Sequence, residues 1–277
     1  MGIGIKNNSR LQFEVLTVGH CHHPEFIVQQ GGSWQSCKFP ALCGLIKHPT
    51  RGYFLYDTGY SNRFFQETTK FPFQLYSWFT PVKLPKQEQL IHQLSLRGIQ
   101  PEEIQGIFIS HFHADHIAGI RDFPNAQLIC MESAFREIQY CTGFKALRKA
   151  FIPNLLPKNI EDLLSFAEPC SLKPLPQELA PFSEGFDLFG DQSIFAIPLE
   201  GHTEGQMGLL FLDKNQQYQF FVADSCWTRK AYQELKLPSK PAQWLFSNKK
   251  QYFHTLQKLN FLYLNNPGIQ IIPSHCS

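Results

Sequence analysis

The sequence has no CxxC pair, no marked excess of charge of either sign and no apolar run of membrane-spanning length. Its eight cysteines, at 21, 37, 43, 130, 141, 170, 226 and 276, form no compact framework, which excludes a disulfide scaffold. Those in apolar runs such as AQLICM read as reduced, buried small hydrophobes. Lysine and arginine total 25 against 23 aspartates and glutamates, a formal charge of +2. Phosphate recognition ordinarily shows as a basic face or stripe, so nucleic acid is not expected as a partner. The densest basic stretch, FKALRKAF at 144–151, reads as the solvated side of a helix. Membrane insertion is not expected either. The start, MGIGIKNNSRLQFEVLTVG, lacks a signal core and cleavage site, and Lys6 stands where myristoylation wants Ser or Thr. A cytoplasmic location is the expectation.

What is present is globular: 43% of the 277 residues are hydrophobic, and prolines and glycines are scattered singly. LQFEVLTVG, ALCGLIKH and GYFLYDTG predict an antiparallel meander, with a turn at 49–52. Residues 61–85 are aromatic-rich and proline-punctuated, and predict an excursion from the core. A helix is predicted around Leu90, Ile91, Leu94 and Leu96, ending at Gly98, and a buried strand in PEEIQGIFIS. AQLICM predicts a strand and ESAFREIQYC a helix, followed over 144–166 by a second, mostly helical excursion broken by Pro153 and Pro157. FDLFG, QSIFAIPLEG, GQMGLLFLD and QYQFFVADS return to strands, and a helix over 248–264 and a strand in IQIIPSH close the chain. GLIKHPTRGYFLYDTG and GLLFLDKNQQYQFFVADS echo each other: apolar strand, polar turn, aromatic strand ending in aspartate. Such an echo is the trace a duplicated half-domain leaves.

The chemistry concentrates in FISHFHADHIAG at 108–119, three histidines and an aspartate in six positions after an apolar run. His111 and His113 are two apart and project to one side of an extended segment. Asp115 and His116 follow where the chain turns, aimed at a neighbouring point. Neutral imidazole suits zinc and other borderline metals, and carboxylate adds charge and a hard oxygen. Six residues cannot close a coordination sphere, and later strand ends supply more: His202 in PLEGHTEG, Asp224 in FFVADS and His275 in IIPSHC. A rival cluster, His20, Cys21, His22 and His23 in GHCHHPE, has no second ligand group nearby and reads as a loop at the rim.

This ordered set resembles the metallo-β-lactamase-fold hydrolase superfamily, with LYDTG at 55–59 matching its early Asp-Thr-Gly turn and the likeness running from about Leu11 to His275. The resemblance implies an α/β (α+β) fold, a four-layer αββα sandwich with two mixed sheets, as one domain over 1–277 whose excursions cover a site at one sheet edge. It implies that His111, His113 and His202 hold one metal, that Asp115, His116 and His275 hold a second, and that Asp224 bridges them. Asp57 would orient ligands from behind. Two divalent ions, zinc first and manganese or iron as alternatives, would activate a bridging hydroxide, with Asp115 and Asp224 catalytic, so hydrolysis is the reaction class.

Within the superfamily, LTVGHCHHPEF and GHTEGQMGLLF are most similar to lactonases of the quorum-quenching and pyridoxolactonase type. The expected substrate is a small-molecule lactone or ester. Thioester hydrolysis of the glyoxalase-II kind is the alternative, with β-lactamase, phosphodiesterase and iron-dioxygenase chemistry behind it. Those lactonases carry a tyrosine three residues after the bridging aspartate, whereas DSCW places Trp227 there, and indole cannot shuttle a proton. His22, Phe73, Trp78 and Trp227 are the pocket candidates. The aromatic segment 71–79 reads equally as a lid over substrate and as a homodimer interface.

Overall fold

Residues 11–276 are described by the computed structural model; the targeting patterns read at MGIGIK lie outside the described residues. The first sheet holds β1 (Gln12–Pro24), β2 (Ser36–His48), β3 (Gly52–Tyr56), β4 (Val82–Lys83), β5 (Ile104–Phe108), β6 (Gln127–Cys130) and β7 (Leu164–Phe166), in spatial order β4-β1-β2-β3-β5-β6-β7. The second holds β8 (Ser171–Pro174), β9 (Glu184–Asp187), β10 (Ile194–Pro198), β11 (Met207–Leu212), β12 (Tyr218–Ala223) and β13 (Gln270–Pro273), in reverse sequence order. Both sheets are mixed: antiparallel meanders that continue as parallel strands at β3–β5–β6–β7 and at β12–β13.

Strands β10, β11 and β12 of the second sheet are apolar at nearly every position because both faces are covered. Ile194 and Ala196 of β10, Leu209 and Phe211 of β11 and Phe221 of β12 enter a core shared with Leu45 and Phe54 of the first sheet. Their alternates, Phe195, Ile197, Leu210, Phe220 and Val222, enter a second core with Leu256, Leu259 and Leu262 of the helix Lys249–Asn265. Period-two alternation thus sends one set between the sheets and the other under a helix. On the other flank, the helices Leu90–Ser95 and Glu132–Ile138 bury Leu90, Leu94, Phe135 and Ile138 against the first sheet. Helix, sheet, sheet, helix is the four-layer αββα arrangement. Among the described residues no helix is long and apolar enough to cross a membrane.

Three stretches differ from their sequence reading. GHCHHPE is not a loop: β1 continues to Pro24, its register against β2 shifting between Thr17 and His20, where Gly19 has φ +79°. A bulge of this kind bends the strand and re-aims the side chains beyond it. The 61–85 excursion contains the short helices Asn62–Glu67 and Gln74–Phe79, and it is rooted in the core by the fully buried Phe64. In the 144–166 stretch the end, Leu164–Phe166, is not helix but an edge strand parallel to β6.

The echo seen in the sequence is structural. β2–β3 and β11–β12 are hairpins, and each second strand pairs in parallel with a later strand running into Ser-His: β5 into Ser110-His111 and β13 into Ser274-His275. The backbone bonds are reciprocal, Met207 N–H donating to Ser110 O and Leu42 N–H to Ser274 O, both at 3.0 Å.

Gly201 sits under the helix Lys249–Asn265 with φ +125°, and a Cβ there would lie 2.1 Å from the Tyr252 backbone nitrogen. Flexible side-chain motion cannot relieve a clash with backbone. Gly201→Ala is expected to destabilise the protein by about 3 kcal/mol, read as a shifted urea midpoint with unchanged slope.

Candidate metal centre

The ligand-type residues meet because of strand direction. β3 and β5 are parallel, β12 and β13 are parallel, and β10 and β12 run the same way because both are antiparallel to β11. All five carboxyl ends therefore reach one rim: Asp57 after β3, Ser110 to His113 after β5, His202 in the turn after β10, Asp224 after β12 and His275 after β13. The helix Ala114–Ile117 carries Asp115 and His116 into the same space.

Two groupings result. His111, His113, His202 and Asp224 offer ligand atoms lying within 4.8 Å of one another, and so do Asp115, His116 and His275. His202 Nε2 is 3.1 Å from His113 Nδ1 and 3.2 Å from Asp224 Oδ2. Asp224 Oδ1 is 3.1 Å from His275 Nε2 and 3.4 Å from His116 Nε2, so this one carboxylate faces both sets. Asp115 Oδ2 stands 3.6 Å from His275 Nε2 and 3.7 Å from His116 Nε2. The rival cluster at His20 to His23 is not among the groupings found in the described residues. His20 Nδ1 is instead held at 2.7 Å by Glu88, which also takes Lys38 at 2.9 Å.

The orphaned atoms test whether cations fit. His111 Nε2, His116 Nε2 and Asp224 Oδ1 are buried without any hydrogen-bond partner, a costly state unless something fills the centre. The opposite nitrogens are taken. His116 Nδ1–H donates to Asp57 Oδ2 at 2.8 Å, and His275 Nδ1–H to the Pro40 carbonyl at 2.8 Å. Ser110 Oγ–H donates to Asp57 Oδ2 at 2.7 Å, which leaves the Ser110 hydroxyl oxygen to accept from His111 Nδ1–H at 2.9 Å. Each contact fixes the tautomer that turns an Nε2 lone pair inward, the arrangement expected behind metal-binding imidazoles.

Charge agrees with geometry. Burial and the neighbouring imidazoles push His111 and His113 well below the ordinary histidine range, so they stay neutral lone-pair donors. Burial alone would raise the Asp224 carboxyl, but the positive charge of His275, His116 and His202 outweighs it and holds the group well below the usual range. Burial would lower His116, yet Asp115, Asp57 and Asp224 raise it strongly. Three carboxylates around one imidazole give the centre a negative field that favours positive charge.

A cavity of about 230 Å³ opens onto His113, Asp115, His202, Asp224 and His275. Of the pocket candidates Trp227 lines it; His22, Phe73 and Trp78 do not. His23 lines it in place of His22, since alternation along β1 sends neighbours to opposite faces. Tyr76 and Phe79, three apart on the helix Gln74–Phe79, line it in place of Phe73, which packs on the core, and Trp78, which is exposed. Sequence reading missed Ser110 and the Pro40 carbonyl. The only available signal was the repeated Ser-His pair at 110–111 and 274–275.

Asp57→Asn keeps a residue type that tolerates the φ of +58° found there. It is expected to weaken metal affinity by roughly 10- to 100-fold, measured by competition with a chromophoric chelator, with the folded state intact by circular dichroism.

The family profile described as Metallo-beta-lactamase superfamily matches residues 38–217. An N-acyl homoserine lactonase of Rhizobium radiobacter is 27% identical over 160 residues, covering 56% of this chain and 54% of its own length. The chain therefore spans about half the length of that curated relative. Among solved structures, an N-acyl homoserine lactone hydrolase with the product N-hexanoyl-L-homoserine at its catalytic metal centre superposes with a TM-score of 0.70 at 14% identity, covering 95% of this chain and 92% of that one. A dizinc quorum-quenching lactonase in complex with its product gives 0.65 at 17% identity, covering 100% and 89%. At these identities the likeness is one of fold.

Proposed function

The chain belongs to the metallo-beta-lactamase superfamily, and we propose that it is a hydrolase of small-molecule lactones or esters that works with two divalent metal ions. The observation that carries this reading is the cavity: it is walled by Ile27, Val28, Phe39, Phe79 and Leu245 and ends on five of the seven ligand-type residues. An acyl chain or ring would lie along that wall with its carbonyl against the polar floor. The lactonase and lactone-hydrolase relatives support the bond class.

In this reading His111, His113, His202 and Asp224 would hold one ion and Asp115, His116 and His275 the other, with the Asp224 carboxylate lying between the two sets. Bound there, the ions supply Lewis acidity and make solvent acidic enough to act as a nucleophile near neutral pH. Zinc is the first candidate, in keeping with five imidazoles and with the dizinc neighbour. Asp115, about 14% exposed at its side chain, would take the proton that attacking water loses. Trp227 donates its indole N–H to Asp224 Oδ2 at 3.1 Å, fixing the carboxylate rotamer. Eight free cysteines fit a reducing compartment such as the cytoplasm.

Proton release from a panel of lactones, linear esters and thioesters, with zinc-, manganese- and iron-loaded protein, tests the reading. Lactone turnover is expected, and Asp224→Ala should lower it by roughly 1,000-fold or more. Turnover of thioesters alone would sink the lactone assignment. Exhaustive chelation should abolish the activity and added zinc restore it; activity that survives chelation would sink the metal-dependent mechanism.

A further inference from the structure

The cavity holds few groups able to donate a hydrogen bond to a substrate. The indole of Trp227 is committed to Asp224. Two phenols line the same wall, Tyr60 and Tyr76. Tyr60 is 2% exposed and packs in the core. Tyr76 is different. It is half-buried, its hydroxyl has no hydrogen-bond partner among the described residues, and its ring stands edge-on against the buried Phe64 at 5.4 Å, which fixes its direction.

Burial acts on Tyr76 most strongly, followed by the negative charges of Asp115 and Asp224, and together they hold it well above the ordinary tyrosine range. It is therefore a phenol that keeps its proton, on the wall of the same cavity that Asp115 and Asp224 line. An unpartnered donor so placed is suited to an oxygen that gains negative charge during reaction.

We propose that Tyr76 is a catalytic residue whose hydroxyl donates a hydrogen bond to the ester oxygen that leaves, an assignment that rests on the hydrolase reading above. Water adds its oxygen to the carbonyl carbon and gives a proton to Asp115. The acyl carbon–oxygen bond then breaks, its electron pair goes to the leaving oxygen, and the proton held by Asp115 completes the hydroxyl there. One water is consumed, one acid and one alcohol function appear, and Tyr76 remains a phenol throughout. Its contribution is greatest where the leaving oxygen is basic, as in alkyl lactones, and small where an aryloxide leaves unaided.

Tyr76→Phe keeps the ring against Phe64 and removes only the donor. On δ-decanolactone kcat should fall by about 100-fold with KM within about threefold, while on para-nitrophenyl butyrate kcat should fall by about threefold or less. Equal losses on both substrates, or none on either, would overturn the assignment. A second arm needs no turnover. Hexylphosphonate offers tetrahedral, anionic oxygens to the zinc-loaded protein, and calorimetry should find it bound about tenfold more weakly by Tyr76→Phe at unchanged zinc content. Equal affinity would also overturn it. If the wild-type protein cleaves neither ester yet shows that tenfold difference, the hydrolase reading falls and the Tyr76 contact stands.

Discussion

The fully buried carboxylate of Asp57 is the contact on which the rest of the centre depends. It accepts from the Ser110 backbone N–H at 2.8 Å, from the Ser110 hydroxyl at 2.7 Å and from His116 Nδ1–H at 2.8 Å. The following residue ties the same two segments: Thr58 donates its backbone N–H and its hydroxyl to the His116 carbonyl, at 2.8 and 2.9 Å. The turn that allows this is strained. Asp57 has φ +58°, and Gly59 has φ +62° with no room for a side chain, since a Cβ would lie 2.4 Å from Val18 Cβ. An Asp-Thr-Gly sequence meets all three demands at once: a buried acceptor that tolerates a left-handed backbone, a small hydroxyl donor, and a residue without Cβ. Because the histidine loop is clamped from behind, the Nε2 atoms of His111 and His116 are held turned toward the centre.

How much of this was legible in the sequence depends on which physical signals are local. Polar residues of ligand type ending apolar runs were readable, since strand ends in a sandwich share a rim once their directions agree. Strands β10, β11 and β12 were readable because both their faces are covered and their apolar runs are continuous, whereas the polar, exposed edge strand β8 was not. The cavity wall was not. Whether Tyr76 or Trp78 faces inward depends on the rotation of a six-residue helix, and in an aromatic-rich segment every rotation looks apolar. Likewise His22 and His23 are equivalent in sequence, and only the bulge at Gly19, set by pairing with a distant strand, decides which faces the centre. The Pro40 carbonyl leaves no mark in sequence at all, because any residue at that position of β2 would present one.

Trp227 shows how one substitution redistributes work inside a fixed frame. Its indole carries a single donor, spent on Asp224, and its bulk joins Phe39 and Leu245 in the apolar wall. The aromatic residue three positions after the shared carboxylate thus holds that carboxylate and packs, and the phenol of Tyr76, on the helix Gln74–Phe79, lines another side of the cavity. Burial drives both assignments: a group that satisfies a buried carboxylate is no longer free to meet a ligand.

The reciprocal hydrogen bonds between the duplicated hairpins give the molecule the logic of a clasp. Each half ends a parallel strand in Ser-His and hands the serine carbonyl to the first strand of the other half's hairpin, Leu42 to Ser274 and Met207 to Ser110. Asp57, His111, His113, Asp115 and His116 come from one half, and His202, Asp224 and His275 from the other, so neither half alone can assemble either grouping. Any cation bound between them is then a removable cross-link that spans residues far apart in the chain. It draws the two halves together in proportion to its free concentration, and the resistance of the whole chain to unfolding becomes a function of metal supply.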